Sequence, residues 1–183
     1  MKGHYYIRPF YSKEQCREIC SNLDRDVKLT PAADNPAAGV VKTAHVDLVG
    51  WNLAKAYLTD LEQCVYLTNQ MFFGLDIYNL NDRICVNYNH YRSETQGEYD
   101  WHQDSIQNDI WDVKLTAIVN ISEEEYEGGN FELFLKGGPK HIPEINIPGN
   151  ILIFPSWIYH RVTPVTSGTR KTLSIWFTGP LLR

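Results

Sequence analysis

The sequence predicts a mainly β fold with flanking α: a two-sheet jelly roll whose N-terminal helices pack on the outside of one sheet. Two observations carry this. Apolar residues recur at helical spacing only before Gly74, and after it short alternating or apolar runs follow one another between Gly, Pro and Asn. A chain of 183 residues, 43% of them hydrophobic, can bury one good core but not comfortably two. A single domain over 1–183 is therefore expected, with a helical part at 1–74 and a jelly-roll core at 75–183.

Ser12-Lys13-Glu14-Gln15 is a capping-box pattern, and Cys16, Ile19, Cys20 and Leu23 behind it lie three or four residues apart. The spacing predicts a first helix over 12–25, with the cysteines as small core residues. Residues 30–50 carry prolines and a glycine before a strand-like end, so a long loop and a short strand are expected there. From Leu53 through Ala56, Tyr57, Leu61, Cys64, Val65, Thr68, Met71 and Phe72 the period is again helical and predicts a second, longer helix over 53–73. Eight strands are then predicted, at 84–91, 99–104, 113–121, 130–135, 142–147, 150–155, 158–164 and 170–178.

Composition narrows the partners. Seventeen Lys and Arg against 22 Asp and Glu give a net charge of −5, with no basic run able to track a phosphate backbone, so no nucleic-acid partner is expected. No apolar stretch is long enough for a membrane span, and the start MKGHYYIRPF lacks the apolar centre of a secretory signal. A soluble cytoplasmic protein is expected. Cys16, Cys20, Cys64 and Cys85 lack the paired spacing of a zinc knuckle or redox site, and structural burial is the expectation for all four.

The chemistry lies in the β half. In Tyr99-Asp100-Trp101-His102-Gln103-Asp104 the imidazole and the carboxylate are two residues apart in a predicted strand and project from one face. His160 stands near the start of a later strand, just after a turn. Two histidines and a carboxylate make the metal triad of non-haem iron oxygenases, which leaves coordination positions open. A His-x-Asp triplet alone is a weak motif, and a lone strand arginine is usually a surface residue. Arg170 changes the weighing, because it lies ten residues past His160 across the turn-like Thr166-Ser167-Gly168-Thr169. A guanidinium turned inward there needs a planar acidic partner, since an unpaired buried charge is expensive.

Residues 84–178 resemble the prolyl-hydroxylase-type 2-oxoglutarate oxygenases, especially the bacterial PKHD-type hydroxylases. The matching stretches are Asn89-His90-Tyr91, Tyr99 through Asp104, Glu125-Tyr126-Glu127-Gly128-Gly129, and Pro155-Ser156 through His160-Arg161-Val162 to Gly168-Thr169-Arg170. The resemblance implies a double-stranded β-helix, Fe(II) held by His102, Asp104 and His160, and Arg170 on the distal carboxylate of 2-oxoglutarate. It also implies Tyr91 beside the cosubstrate, O2 as oxidant and ascorbate as an accessory. Asn120 stands where some relatives have a second cosubstrate-binding tyrosine, and the interval from Tyr91 to His102 is slightly longer than usual. Trp176, in phase with Arg170, is a further candidate for contact with cosubstrate or substrate, or else a core residue. Thr172 and Ser174 share that phase. His4, His45, His90 and His141 lack partners at ligand spacing and are expected to be surface or satisfied core residues.

The expected reaction is dioxygenase hydroxylation of a prolyl residue in a peptide or protein. A free amino acid or other small molecule is an alternative substrate. A non-catalytic jelly-roll binding module and a cupin-like metal protein that never uses 2-oxoglutarate are the competing classes. The sequence sets no oligomeric state.

Overall fold

The computed structural model describes residues 3–29, 39–105 and 110–181. The first part of the predicted 30–50 loop, 30–38, lies outside them. In chain order the elements are β1 (Tyr6–Pro9), α1 (Lys13–Asp26), β2 (His45–Gly50), α2 (Trp51–Ala54), α3 (Leu61–Thr68), β3 (Cys85–Arg92), β4 (Tyr99–His102), β5 (Trp111–Asn120), β6 (Glu127–Gly128), β7 (Phe131–Leu135), β8 (Gly138–His141), β9 (Asn150–Pro155), β10 (His160–Val162), β11 (Val165–Ser167) and β12 (Thr169–Pro180).

The first helix starts where the capping box places it, because Ser12 accepts from the Gln15 N–H while the Gln15 side chain accepts from the Ser12 N–H. The predicted 53–73 helix is interrupted. Asp60 takes φ of 63°, a left-handed conformation no helix interior tolerates, so α2 and α3 are separate and a π turn over Asn69–Phe73 follows α3. The predicted 142–147 strand is instead a 3-10 turn at Pro143–Asn146, and the chain pairs earlier, in β8. A proline at the first position of that turn suits it and removes a ladder donor. No described helix is long and apolar enough to cross a membrane.

The described strands form a six-stranded sheet in the order β1-β9-β5-β12-β3-β2, facing a four-stranded sheet in the order β4-β10-β7-β8, with β11-β6 as a separate pair. Every named pairing is antiparallel, and the order is that of a jelly roll. Strand alternation then divides the large sheet's side chains. Leu173, Ile175 and Phe177 of β12 face the helices, joining Cys16, Ile19, Cys20, Leu23, Leu61 and Val65 in one core. Ile118, Leu152 and Phe154 face the smaller sheet and meet Phe131, Leu133 and Val162 in a second. Arg170, Thr172, Ser174 and Trp176, the alternate residues of β12, open into a cavity between the sheets.

Candidate active site

The cavity has a volume of about 490 Å³, and His102, Asp104 and His160 line it together with Arg170. His102 closes β4, His160 opens β10, and the two are register partners across those strands. Asp104 follows two residues after His102, at a point where its N–H and that of Ser105 both donate to the Ser156 carbonyl, at 3.0 and 3.2 Å. One ligand atom from each of the three residues lies within 4.8 Å of the others.

Each imidazole is oriented by a backbone carbonyl. His102 Nδ1 lies 2.7 Å from the Asp100 carbonyl and His160 Nδ1 3.0 Å from that of Ile158. A carbonyl only accepts, so Nδ1 carries a proton in both rings, and Nε2 is the atom each ring turns toward the carboxylate. Those Nε2 atoms face the carboxylate, at 3.7 Å for His102 and 3.4 Å for His160. Burial, and then the neighbouring His160, pulls the His102 pKa down to about 4, so the ring is neutral near pH 7. Thr116 Oγ1 donates to Asp104 Oδ2, the oxygen that also faces His160, at 2.8 Å and lies 3.0 Å from Ser156 Oγ. Two imidazoles and one carboxylate suit a divalent first-row metal.

Arg170 is 1% exposed, yet its Nε and Nη2 have no hydrogen-bond partner. Its guanidinium carbon lies 5.2 Å from the centroid of Tyr91, the register partner of Arg170 on β3. A buried cation with unused donors in a cavity fits a carboxylate-bearing ligand. Gly129, at φ of 59°, lets β6 pass close to the arginine, since a Cβ there would stand 2.9 Å from Arg170 Cδ.

Trp176 lines the same cavity beside Thr116, its register partner, and its buried Nε1 has no acceptor. Thr172 and Ser174 both take hydrogen bonds from Asn89 Nδ2, at 3.3 and 3.1 Å. Asn120 departs from the sequence expectation. It does not line the cavity; its amide donates to Tyr126 Oη and the Ile145 carbonyl and accepts from the Ser122 N–H, at 3.0, 2.9 and 2.9 Å. All its polar groups are used in tying down the turn after β5. His4 and His141 are exposed. His45 and His90 are not partnerless, because they flank Asp47.

Thr116, Ser156 and Asn89 were not singled out by sequence. Ser156 and Asn89 fall inside motif stretches, but Thr116 reaches Asp104 only through the pairing of β5 with β9, which no local spacing reveals.

Residues 86–178 match the sequence model of the 2OG-Fe(II) oxygenase superfamily. The chain belongs to this superfamily. A PKHD-type hydroxylase of Synechococcus sp. strain CC9605 is 34% identical over 88 residues, a stretch covering 46% of this chain and 38% of that protein. The chain thus aligns with well under half the length of this relative. Two solved structures share the fold of this oxygenase chain. A Pseudomonas putida prolyl-4-hydroxylase superimposes with a TM-score of 0.72 at 19% identity, covering 95% of this chain and 91% of that one. A Trichoplax adhaerens prolyl hydroxylase, in complex with a hypoxia-inducible-factor peptide fragment, gives 0.74 at 15% identity, covering 95% and 83%. The superfamily's metal and cosubstrate, Fe(II) and 2-oxoglutarate, fit the donor trio and the unpaired Arg170.

Proposed function

We propose that this oxygenase chain hydroxylates a prolyl residue of a peptide or protein, using Fe(II), 2-oxoglutarate and O2, and that 1–183 acts as one catalytic domain. The observation that carries the reading is Arg170, buried and unpaired in the cavity that holds the histidine and aspartate trio. A binding module or a cupin-like metal protein has no use for that charge. In this proposal His102, Asp104 and His160 hold the metal, and Arg170 anchors the distal carboxylate of 2-oxoglutarate with Tyr91 packed beside it. When bound, the iron and 2-oxoglutarate supply the oxidising power to put an oxygen atom from O2 into a C–H bond, releasing succinate and CO2.

The chain's own residues supply geometry and exclusion of water. The Nδ1 hydrogen bonds fix both rings, Thr116 fixes the carboxylate, and Phe131, Ile118 and Val162 give apolar walls. Trp176 lines the cavity with an unpartnered indole N–H, a donor for a substrate carbonyl. The prolyl substrate is supported by the PKHD-type relative and by the peptide-bound structural neighbour. A cytoplasmic setting is supported by four free cysteines.

Succinate formation from 2-oxoglutarate with Fe(II) and ascorbate under air tests the reading, with proline-containing peptides and free amino acids as separate arms. Turnover stimulated by a peptide and abolished in Asp104→Ala is expected. Stimulation by free amino acids alone would replace the peptide substrate, and absence of both turnover and 2-oxoglutarate binding would favour the binding module.

A further inference from the structure

Outside the cavity, a second pair of imidazoles meets a carboxylate. His45 and Asp47 are two residues apart on the edge strand β2 and share one of its faces. His90 is the register partner of His45 on β3. The cavity trio is built the same way, with His102 and His160 as register partners and Asp104 two residues after His102. In the outer group His45 Nε2 lies 3.0 Å from Asp47 Oδ1, and His90 Nε2 lies 3.3 Å from Asp47 Oδ2. The matching separations at Asp104 are longer, at 3.7 and 3.4 Å. Two ligand atoms each about 2.0–2.2 Å from one ion stand roughly 3–3.5 Å apart, so both outer separations suit a shared cation.

A second observation points to a ligand. His90 is 7% exposed and its buried Nε2 has no hydrogen-bond partner, although a carboxylate oxygen lies 3.3 Å away. A metal would satisfy that nitrogen. The two rings are farther apart than in the cavity, with centroids at 5.7 Å against 4.1 Å. Among the described residues only the cavity trio brings all its ligand atoms within 4.8 Å. Closure of the outer group therefore requires His45 to turn, and its side chain, 55% exposed, has the room. Lys171, opposite His90 on β12, is held by Glu123 at 2.6 Å, so its charge is already countered.

We propose that His45, Asp47 and His90 form a second divalent-metal site, of the zinc class, on the outer face of the large sheet. Imidazole and carboxylate donors suit zinc, cobalt or nickel, with water completing the shell. The ion would tie the edge strand to β3 and so fix β2, whose Leu48 lines the catalytic cavity.

Zinc alone, titrated into metal-free protein and followed by calorimetry, tests this. Two equivalents are expected in the wild type and one in His45→Ala, a change at an exposed side chain that leaves the core intact. The double variant His102→Ala/Asp104→Ala is expected to keep one equivalent, which is lost once His45→Ala is added. Cobalt in the double variant is expected to give a visible ligand-field spectrum that disappears with His45→Ala. A single equivalent in the wild type, unchanged in His45→Ala, overturns the proposal; so does a second equivalent that persists in His45→Ala. The readout is metal count and not turnover, so failure of the hydroxylase reading would leave this result standing.

Discussion

Thr116 Oγ1 donates to Asp104 Oδ2 across 2.8 Å, and Ser156 Oγ stands 3.0 Å behind it, with Thr116 and Ser156 both fully buried. The bond fixes the orientation of a carboxylate whose Oδ1 faces His102 Nε2 and whose Oδ2 faces His160 Nε2. Groups that orient a ligand in this way typically contribute 10–100-fold to metal affinity. Thr116→Val keeps the shape and deletes the hydroxyl, so metal affinity in a cobalt titration should fall by about tenfold or more. Thr116→Ser should restore most of it. Equal affinity in all three proteins would show that Asp104 needs no such support.

Arg170→Ala should raise the 2-oxoglutarate concentration needed for half-saturation by on the order of 100-fold, since truncating one partner of a buried charge pair costs about 2–5 kcal/mol. Metal affinity without cosubstrate should stay the same, which separates the two ends of the site. Arg170→Lys should rescue little, because the planar fork that matches a carboxylate is lost. Calorimetric titration of 2-oxoglutarate into the metal-loaded proteins measures all three.

Gly129→Ala should weaken 2-oxoglutarate binding through Arg170. A methyl group there meets Val165 Cγ2 at 2.8 Å and Arg170 Cδ at 2.9 Å, on a backbone at φ of 59°. The left-handed backbone alone costs about 1–2 kcal/mol for a residue with a Cβ. A lower melting temperature with a displaced arginine is expected; unaltered cosubstrate affinity would mean that the guanidinium tolerates the shift.

Cys16 and Cys20 should resist alkylation in the native protein. Burial, then Glu123, pushes their thiols up to about 11 and about 12, so almost no thiolate is present near neutral pH. Mass mapping after iodoacetamide treatment should find both unmodified until denaturant is added. Fast labelling of either would place α1 away from the sheet.

The parts of this fold legible in the sequence are those set by local alternation. The predicted 150–155 run is β9 over Asn150–Pro155, and 170–178 lies inside β12, because each alternates or runs apolar between clear turn residues. β1 was missed because Tyr6-Ile7-Arg8-Pro9 carries a cation and a proline and exists as a strand only by pairing with β9. The same divide holds at the site. His102 and Asp104 share a face by strand period alone, whereas Thr116 depends on the register between distant strands. His90 lacks a visible partner for that reason too, because Asp47 reaches it only once β2 lies against β3, whereas His45 and Asp47, two residues apart on β2, share a face by strand period alone.

Asn120 gives the sharpest separation between a sequence likeness and a structural role. The resemblance implies that position 120 stands where some relatives have a second cosubstrate-binding tyrosine, but its side chain donates to Tyr126 Oη and the Ile145 carbonyl and accepts from the Ser122 N–H. Asn120→Ala would strand the buried Ser122 N–H and the Ile145 carbonyl, at roughly 1–3 kcal/mol for each group left unsatisfied. The expected result is a lower denaturation midpoint with 2-oxoglutarate affinity unchanged within about twofold, read below the temperature at which the variant unfolds. A loss of cosubstrate affinity in protein that is as stable as the wild type would instead put Asn120 in contact with 2-oxoglutarate.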